Sequence, residues 1–248
     1  MRIINKLGTL ITSLDSWKTA FLEVDSKKEH WKEGRSAHSL GHFFDPQKTI
    51  GEDKLKEYLR SIPALNAKIT FHIGVIEFES KFDQFRGKGR VHDLAIWGNC
   101  GSNKLFVGIE AKVDESFGET IENALNEAEK RSKSNPNSKG VERINGLTDK
   151  FLSNIDSTEC NKLRYQLLHY LAGTLAQAQR SGASIAIMPV LVFKTSDYNL
   201  GIASENKKDY EMFMDALFEK STTNNGDSLY SKTYGDIVIY SFYKEISL

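Results

Sequence analysis

Through the first quarter of the chain, hydrophobic residues recur at three- and four-residue steps; the pattern then switches to alternation. Trp17, Phe21 and Leu22, and later Leu40, Phe43 and Phe44, follow the helical period. A helix is expected over residues 35–44, ended at Asp45-Pro46 because a proline disfavours helical geometry at the residue before it. A second short amphipathic helix is expected over 52–61 (EDKLKEYLRS), closed by Pro63. Residues 69–78 (ITFHIGVIEF) alternate and are rich in β-branched and aromatic side chains, the mark of a strand. A turn-rich stretch (FRGKGR, 85–90) leads to a second strand over 91–97 (VHDLAIW), and a loop of turn formers over 98–103 to a third over 104–112 (KLFVGIEAK). Strands joined by such short connections are expected to be antiparallel neighbours.

Residues 114–133 are helix-forming, and 132–140 (SKSNPNSKG) read as a polar loop. Over 163–180, Leu167, Leu168, Leu171, Leu175 and Ala178 mark one face of an amphipathic helix. The apolar run 183–193 (ASIAIMPVLVF) suits a strand buried on both faces. A helix over 208–220, a disordered-looking STTNNGD segment (221–227) and a strand over 236–243 complete the order. That order predicts an α/β fold with a mixed central sheet flanked by helices. One domain over 1–248 is expected, with a helical part at 1–65, a core at 66–195 and a final helix and strand at 196–248.

Composition narrows the function. With 33 basic and 33 acidic residues in 248, the chain does not coat nucleic acid through bulk charge, although a local basic patch stays open. Cys100 and Cys160 are too few for a disulfide framework or a four-thiolate zinc site, and read as unpaired thiols in a reducing compartment. The opening MRIINKLGTLITSLDSW is broken by Lys6, Gly8 and Asp15, so it does not read as a signal peptide. No stretch approaches the roughly 18 uninterrupted apolar residues of a membrane span. A cytoplasmic protein without membrane partners is expected.

The chemistry concentrates at two strand ends. Glu110 and Lys112 lie two apart and share a sheet face; Asp93, on the neighbouring strand, can join them. Such a cluster costs several kcal/mol of desolvation unless its members pair or coordinate something. Two carboxylates suit Mg2+ or Mn2+, which takes hard oxygen ligands, and Lys112 beside them would orient or help deprotonate an attacking water. A cross-strand salt bridge is the bland alternative. His38 and His42 share a helix face but lack a third ligand and read as a packing pair.

Asp93, a loop and then Ile109-Glu110-Ala111-Lys112 resemble the PD-(D/E)XK nuclease superfamily, with His92 where that pattern has proline. The stretch GIEAKVDESFG (108–118), the helix start RYQLLH (164–169) and SAHSLGHFF (36–44) look like a poorly characterised bacterial branch of it, over roughly residues 30–195. The resemblance implies a restriction endonuclease-like αβββαβ core and metal-dependent phosphodiester hydrolysis. It implies DNA as the substrate and a role in restriction, anti-phage defence or repair. Asp93 and Glu110 would be metal ligands, with an upstream acid completing the site. Glu77 and Glu79 are both candidates, and spacing favours Glu79. Gln166 would reach the attacking water or Lys112, Glu115 would stand behind the site, and Arg164 would contact a phosphate, as its planar fork allows. His169 reads as a core histidine, and Arg35 and Ser36 could approach the substrate backbone. Lys81, Arg86, Lys88 and Arg90, with Gly87 and Gly89 between them, would bind the nucleic-acid backbone. A catalytically silent nucleic-acid-binding module of the same fold is the alternative. A homodimer would suit duplex cleavage, since two strands need two sites, but no sequence feature marks a dimer surface.

Overall fold

The computed structural model describes residues 1–24 and 30–248. It opens with two strands too short to show a pattern in the sequence, β1 (Arg2–Ile4) and β2 (Leu10–Ile11). Helices α1 (Leu14–Val24), α2 (Ser36–Phe43) and α3 (Ile50–Arg60) follow. Their apolar stripes, with Trp17, Phe21, Leu40 and Leu59, cover one face of the sheet over Ile76, Leu94, Ile96 and Val107. The meander is β3 (Ile69–Ser80), β4 (Arg90–Cys100) and β5 (Asn103–Lys112), antiparallel throughout.

The opposite face is covered by α4 (Ile121–Ser134), α5 (Gly140–Phe151), the single-turn α6 (Ser157–Cys160) and α7 (Tyr165–Ser181). The helix expected over 114–133 starts only at Ile121. Gly118 takes the left-handed backbone (φ 69°) and the Thr120 hydroxyl caps α4, so residues 114–119 are left as a loop against β5. The polar stretch 132–140 is shorter than expected, because α4 runs to Ser134 and α5 begins at Gly140.

The apolar run 183–193 is two strands, β6 (Ile185–Ile187) and β7 (Val190–Lys194), parted at Met188-Pro189, where proline offers no N–H to a ladder. Both pair in parallel with β5, β6 with Leu105–Val107 and β7 with Glu110–Lys112. Helix α8 (Leu200–Leu217) begins earlier than its apolar period suggests, because the Asn199 side chain caps it by accepting the Gly201 and Ile202 N–H groups. The STTNNGD segment is ordered: it turns β8 (Glu219–Thr222) into β9 (Ser228–Tyr234), and its Asn224 N–H donates to the Ser61 carbonyl. Strands β10 (Ile237–Ser241) and β11 (Tyr243–Ser247) complete a mixed sheet ordered β2-β1-β3-β4-β5-β6-β10-β9-β8, with β7 and β11 branching from β5. The fold is α/β, with helices on both faces.

Two irregularities shape the site. Residues two apart in a strand normally share a face, yet Ile76 and Leu94 face the α1–α3 core while Phe78 and His92 pack towards α7, Phe78 on Trp97 and His92 on Phe106 and Tyr170. The paired strands turn over together between these positions, at Glu77 and Asp93. Glu77 carries a left-handed backbone (φ 50°), rare for a residue with a Cβ. Beside it, the β4–β5 ladder stops at Leu94–Ile109. Past that pair β5 turns to β7, and a cleft opens between Asp93 and Glu110.

Candidate active site

Asp93 stands at the strand reversal with its carboxylate turned to β5, where Oδ2 accepts the Ala111 N–H at 2.7 Å in place of the missing ladder bond. Burial pushes this carboxyl above its ordinary range, against the pull of Arg90, the Ala111 N–H and Lys112. Glu110 and Lys112 share the α7 side of β5, as their spacing requires, and both are buried, with 3% and 5% of their surface exposed. Glu110 is ion-paired to Arg90; its Oε1 lies 3.0 Å from Lys112 Nζ and accepts the Gln166 amide at 2.7 Å. Lys112 also donates to the Ser116 carbonyl (3.2 Å) and to Gln166 Oε1 (3.4 Å), so all three ammonium donors are used. Burial lowers its pKa to about 8, although Asp93 and Glu115 pull it upward.

The loop after β5 is braced from two sides. Glu115 accepts the Ser36 hydroxyl (2.6 Å) and the Val113 N–H (3.0 Å), while its carbonyl accepts the amide of the buried Asn206 on α8 (2.8 Å). Burial works to raise the Glu115 carboxyl, but these two donors and Lys112 outweigh it and hold it low. Arg35 pairs with Asp114 at 2.7 Å. A cavity of about 550 Å³ opens over the cluster, lined by Glu77, Asp93, Glu110, Lys112, Glu115 and Gln166, with Arg35 and Ser36 at its side. Asp93, Glu110 and Glu115 face Arg90 and Lys112, so one carboxylate is in excess even before Glu77 is counted.

Several expected residues lie elsewhere. Glu77, not Glu79, lines the cavity: because the strand turns over at Glu77, the two do not share a face. Glu79 lies on the hairpin, 37% exposed at its side chain, paired with Lys81 (2.7 Å) and accepting the Gly89 N–H (2.6 Å). Arg90, expected on the hairpin with the phosphate contacts, is buried under α7, paired to Glu110 and 4.9 Å from the Tyr170 ring centre. Its parity across the reversal turns it inward, and although burial lowers its pKa a guanidinium stays charged. Arg86 and Lys88 are exposed at the hairpin tip. Arg164 is taken up by Asp209 (2.8 Å), Glu205 (2.8 Å) and the Gly118 carbonyl (2.6 Å), tying α7 to α8 and to the loop, and does not line the cavity. His38 and His42 stack at 6.5 Å beside Trp31. His169 is only partly enclosed, 4.6 Å from the Phe82 ring, and burial, then Arg90 and Arg143, lower its pKa to about 3.

Two positions escaped the sequence reading. Tyr170, one helical turn past Gln166, shares its single hydroxyl hydrogen between the Gly108 and Pro189 carbonyls and so fixes the junction where β5 changes partner. The i, i+4 step from Gln166 was its only signal. Asn206 gave none, as a polar residue in a polar stretch of α8.

As a donor set, Glu77, Asp93 and Glu110 are hard oxygens around one cavity, which suits Mg2+ or Mn2+ held by one or two carboxylates and water. Among the described residues no three metal-capable side chains already converge on one point. Glu110 Oε1 is taken by Lys112 and the Gln166 amide, whereas Oε2, engaged by Arg90 alone, keeps a second lone pair. Asp93, Glu77 and Glu110, the last shared with Arg90, are the residues that would hold such an ion.

A family model described as "Domain of unknown function (DUF6946)" matches residues 10–246, and the chain belongs to that family. No curated protein and no solved structure matches it. No helix among the described residues is long and apolar enough to cross a membrane.

Proposed function

We propose that this protein hydrolyses phosphodiester bonds in nucleic acid, most of all DNA, with Mg2+ or Mn2+, as the PD-(D/E)XK resemblance implies. The observation that carries the reading is the meeting of Asp93, Glu110 and Lys112 in one cavity, at the point where β4 and β5 part. A bound divalent ion would lower the pKa of a water and neutralise charge developing on the phosphoryl oxygens. Asp93 and Glu110 would hold it, with Glu77 in the place the sequence suggested for Glu79. Lys112, its pKa lowered to about 8, would take the proton of the attacking water as the neutral amine and, as the ammonium so formed, stabilise negative charge on the phosphate. Gln166 bridges Lys112 and Glu110 and fixes their mutual orientation. Arg90 offsets the Glu110 charge from behind. A cytoplasmic setting and a part in defence or repair go with this reading.

The Arg90–Glu110 pair favours a second reading, a nucleic-acid-binding module of the same fold in which Glu110 is a buried salt-bridge partner. Incubation with duplex DNA, single-stranded DNA and RNA, each in Mg2+, Mn2+ or chelator, separates the two. Cleavage that needs the metal and disappears in Asp93→Asn supports hydrolysis. Binding with no cleavage of any substrate in either metal refutes it in favour of the silent module.

A further inference from the structure

Helix α7 carries a continuous stripe away from the cavity. Gln166, His169, Ala172, Ala176 and Arg180 follow one another at three- and four-residue steps and so lie along one helix face. Gln166 belongs to the catalytic cavity and also to a neighbouring open depression of about 310 Å³ with Tyr165 and His169. The His169 ring meets Phe82 at 4.6 Å, and Phe82 in turn lines a groove of about 360 Å³ shared by the hairpin, α5 and α7. Fourteen residues separate Gln166 from Arg180, so at 1.5 Å per residue the track is roughly 21 Å long.

Its chemistry is mixed in a particular way. Tyr165, His169, Phe82 and Phe85 are half-buried rings that keep part of their surface outward. Of the acids along the track, Asp83 in the groove is taken up by Arg143 at 2.7 Å, and the exposed Glu119 borders the depression at the cavity end, away from the groove. Lys150 and Arg180 line the far end, exposed, and form no ion pair among the described residues. Two cations without an acidic partner among the described residues, Lys150 lying 5.1 Å over the Phe151 ring, stand beyond a row of aromatic rings and meet the needs of a chain with a phosphate backbone and unstacked bases; a duplex hides its base faces.

We infer that the α7 track binds single-stranded nucleic acid, bases against Tyr165, His169, Phe82 and Phe85 and backbone towards Lys150 and Arg180, leading the strand to the cavity at Gln166. At 3.4 Å per nucleotide the track accommodates about six nucleotides, fewer in an extended strand. This rests on the proposed hydrolytic reading for its purpose, but its binding is measured without turnover, in chelator.

The test is fluorescence anisotropy of labelled dT4, dT8 and dT12 and of a 12-base-pair duplex over a range of salt. The wild type should bind dT8 and dT12 more tightly than dT4 or the duplex. Lys150→Glu with Arg180→Glu should weaken dT12 binding and reduce the salt slope by about 1.4, at 0.7 per phosphate contact on a single strand. Phe85→Ala should weaken it about 5- to 150-fold, the range for one lost stacked base. Both charge positions are exposed, and a melting curve checks that each variant is folded. Unchanged dT12 affinity in the folded charge-reversal variant, duplex binding as tight as dT12, or no dT12 binding by the wild type overturns the inference. Track binding with no cleavage in any metal leaves the inference standing and removes the hydrolytic reading alone.

Discussion

Replacing Arg90 with Met tests whether a guanidinium and a divalent ion can serve the same buried carboxylate. Methionine keeps much of the apolar stem against Tyr170 but removes the guanidinium, and both partners of the Arg90–Glu110 pair are almost wholly buried, at 7% and 3% exposure. Removing one partner of a buried pair typically costs about 3–5 kcal/mol. Glu110 keeps Lys112 and Gln166, so the lower end applies, about 3 kcal/mol. For a chain of this size that lowers the melting temperature by about 6–12 °C. A divalent ion at the cavity would restore positive charge beside Glu110, so Mg2+ should raise the melting temperature more in Arg90→Met than in the wild type. At a hundred times its dissociation constant an ion contributes about 2.7 kcal/mol, enough to recover most of the loss. Differential scanning fluorimetry in chelator and across a Mg2+ series measures both quantities. A drop of less than 2 °C would refute the account of Arg90 as the charge that holds Glu110. A full drop with no Mg2+ recovery would refute the cavity as a metal site and leave the salt-bridge module.

Asp93→Asn keeps the acceptor for the Ala111 N–H and should fold normally, yet together with Glu110→Gln it should show at least about 100-fold less cleavage in a steady-state assay. Lys112→Ala should lose turnover by a similar factor while retaining the Mg2+-induced rise in melting temperature, because an ammonium is not a ligand. Glu77→Gln should reduce the Mg2+ shift whereas Glu79→Gln, altering a residue of the exposed hairpin, should not; equal effects would return the third acid to the position expected from spacing. His169, with its pKa lowered to about 3 in the folded protein, stays neutral where an unfolded-state histidine protonates. Stability should therefore fall as pH drops below about 6.5, by at most about 1.4 kcal/mol per pH unit from this group. Urea titrations at pH 7 and pH 5.5 should show a smaller fall in His169→Gln.

The meander, helix α7 and the meeting of Asp93, Glu110 and Lys112 were legible because they rest on local periodicity: alternation through β3 to β5, a stripe on α7, and the i, i+2 step from Glu110 to Lys112. What the sequence hid is where a period breaks inside an element. Nothing in IEFES announces that Glu77 takes a left-handed backbone, so counting by twos gave Glu77 and Glu79 one face, and the turn-rich FRGKGR grouped Arg90 with the surface cations of the hairpin. The division of residues 183–193 was signalled by Pro189, but apolar continuity outweighed it. The hairpin at residues 223–227 looked disordered because its order comes from long-range contact: Asn224 is bonded to Ser61, far away in the chain. Helix α5 begins without a capping side chain, which removes the sign that marks most helix starts.

The joint reversal of β3 and β4 also makes the hairpin beyond it a replaceable part. From Phe78 and His92 outward the ribbon belongs to the α7 side, where Arg143 clasps it through Asp83 and the Lys88 carbonyl. The carboxylates of the cavity are set at the reversal itself, by the Ala111 N–H and by β5. Residues 86–87 can thus be lengthened or exchanged for a reporter sequence without changing the register that holds Asp93 and without removing Phe85 from the groove. For an engineer this is an insertion point whose cargo would sit at the mouth of the α7 groove rather than in the cavity over Asp93 and Glu110.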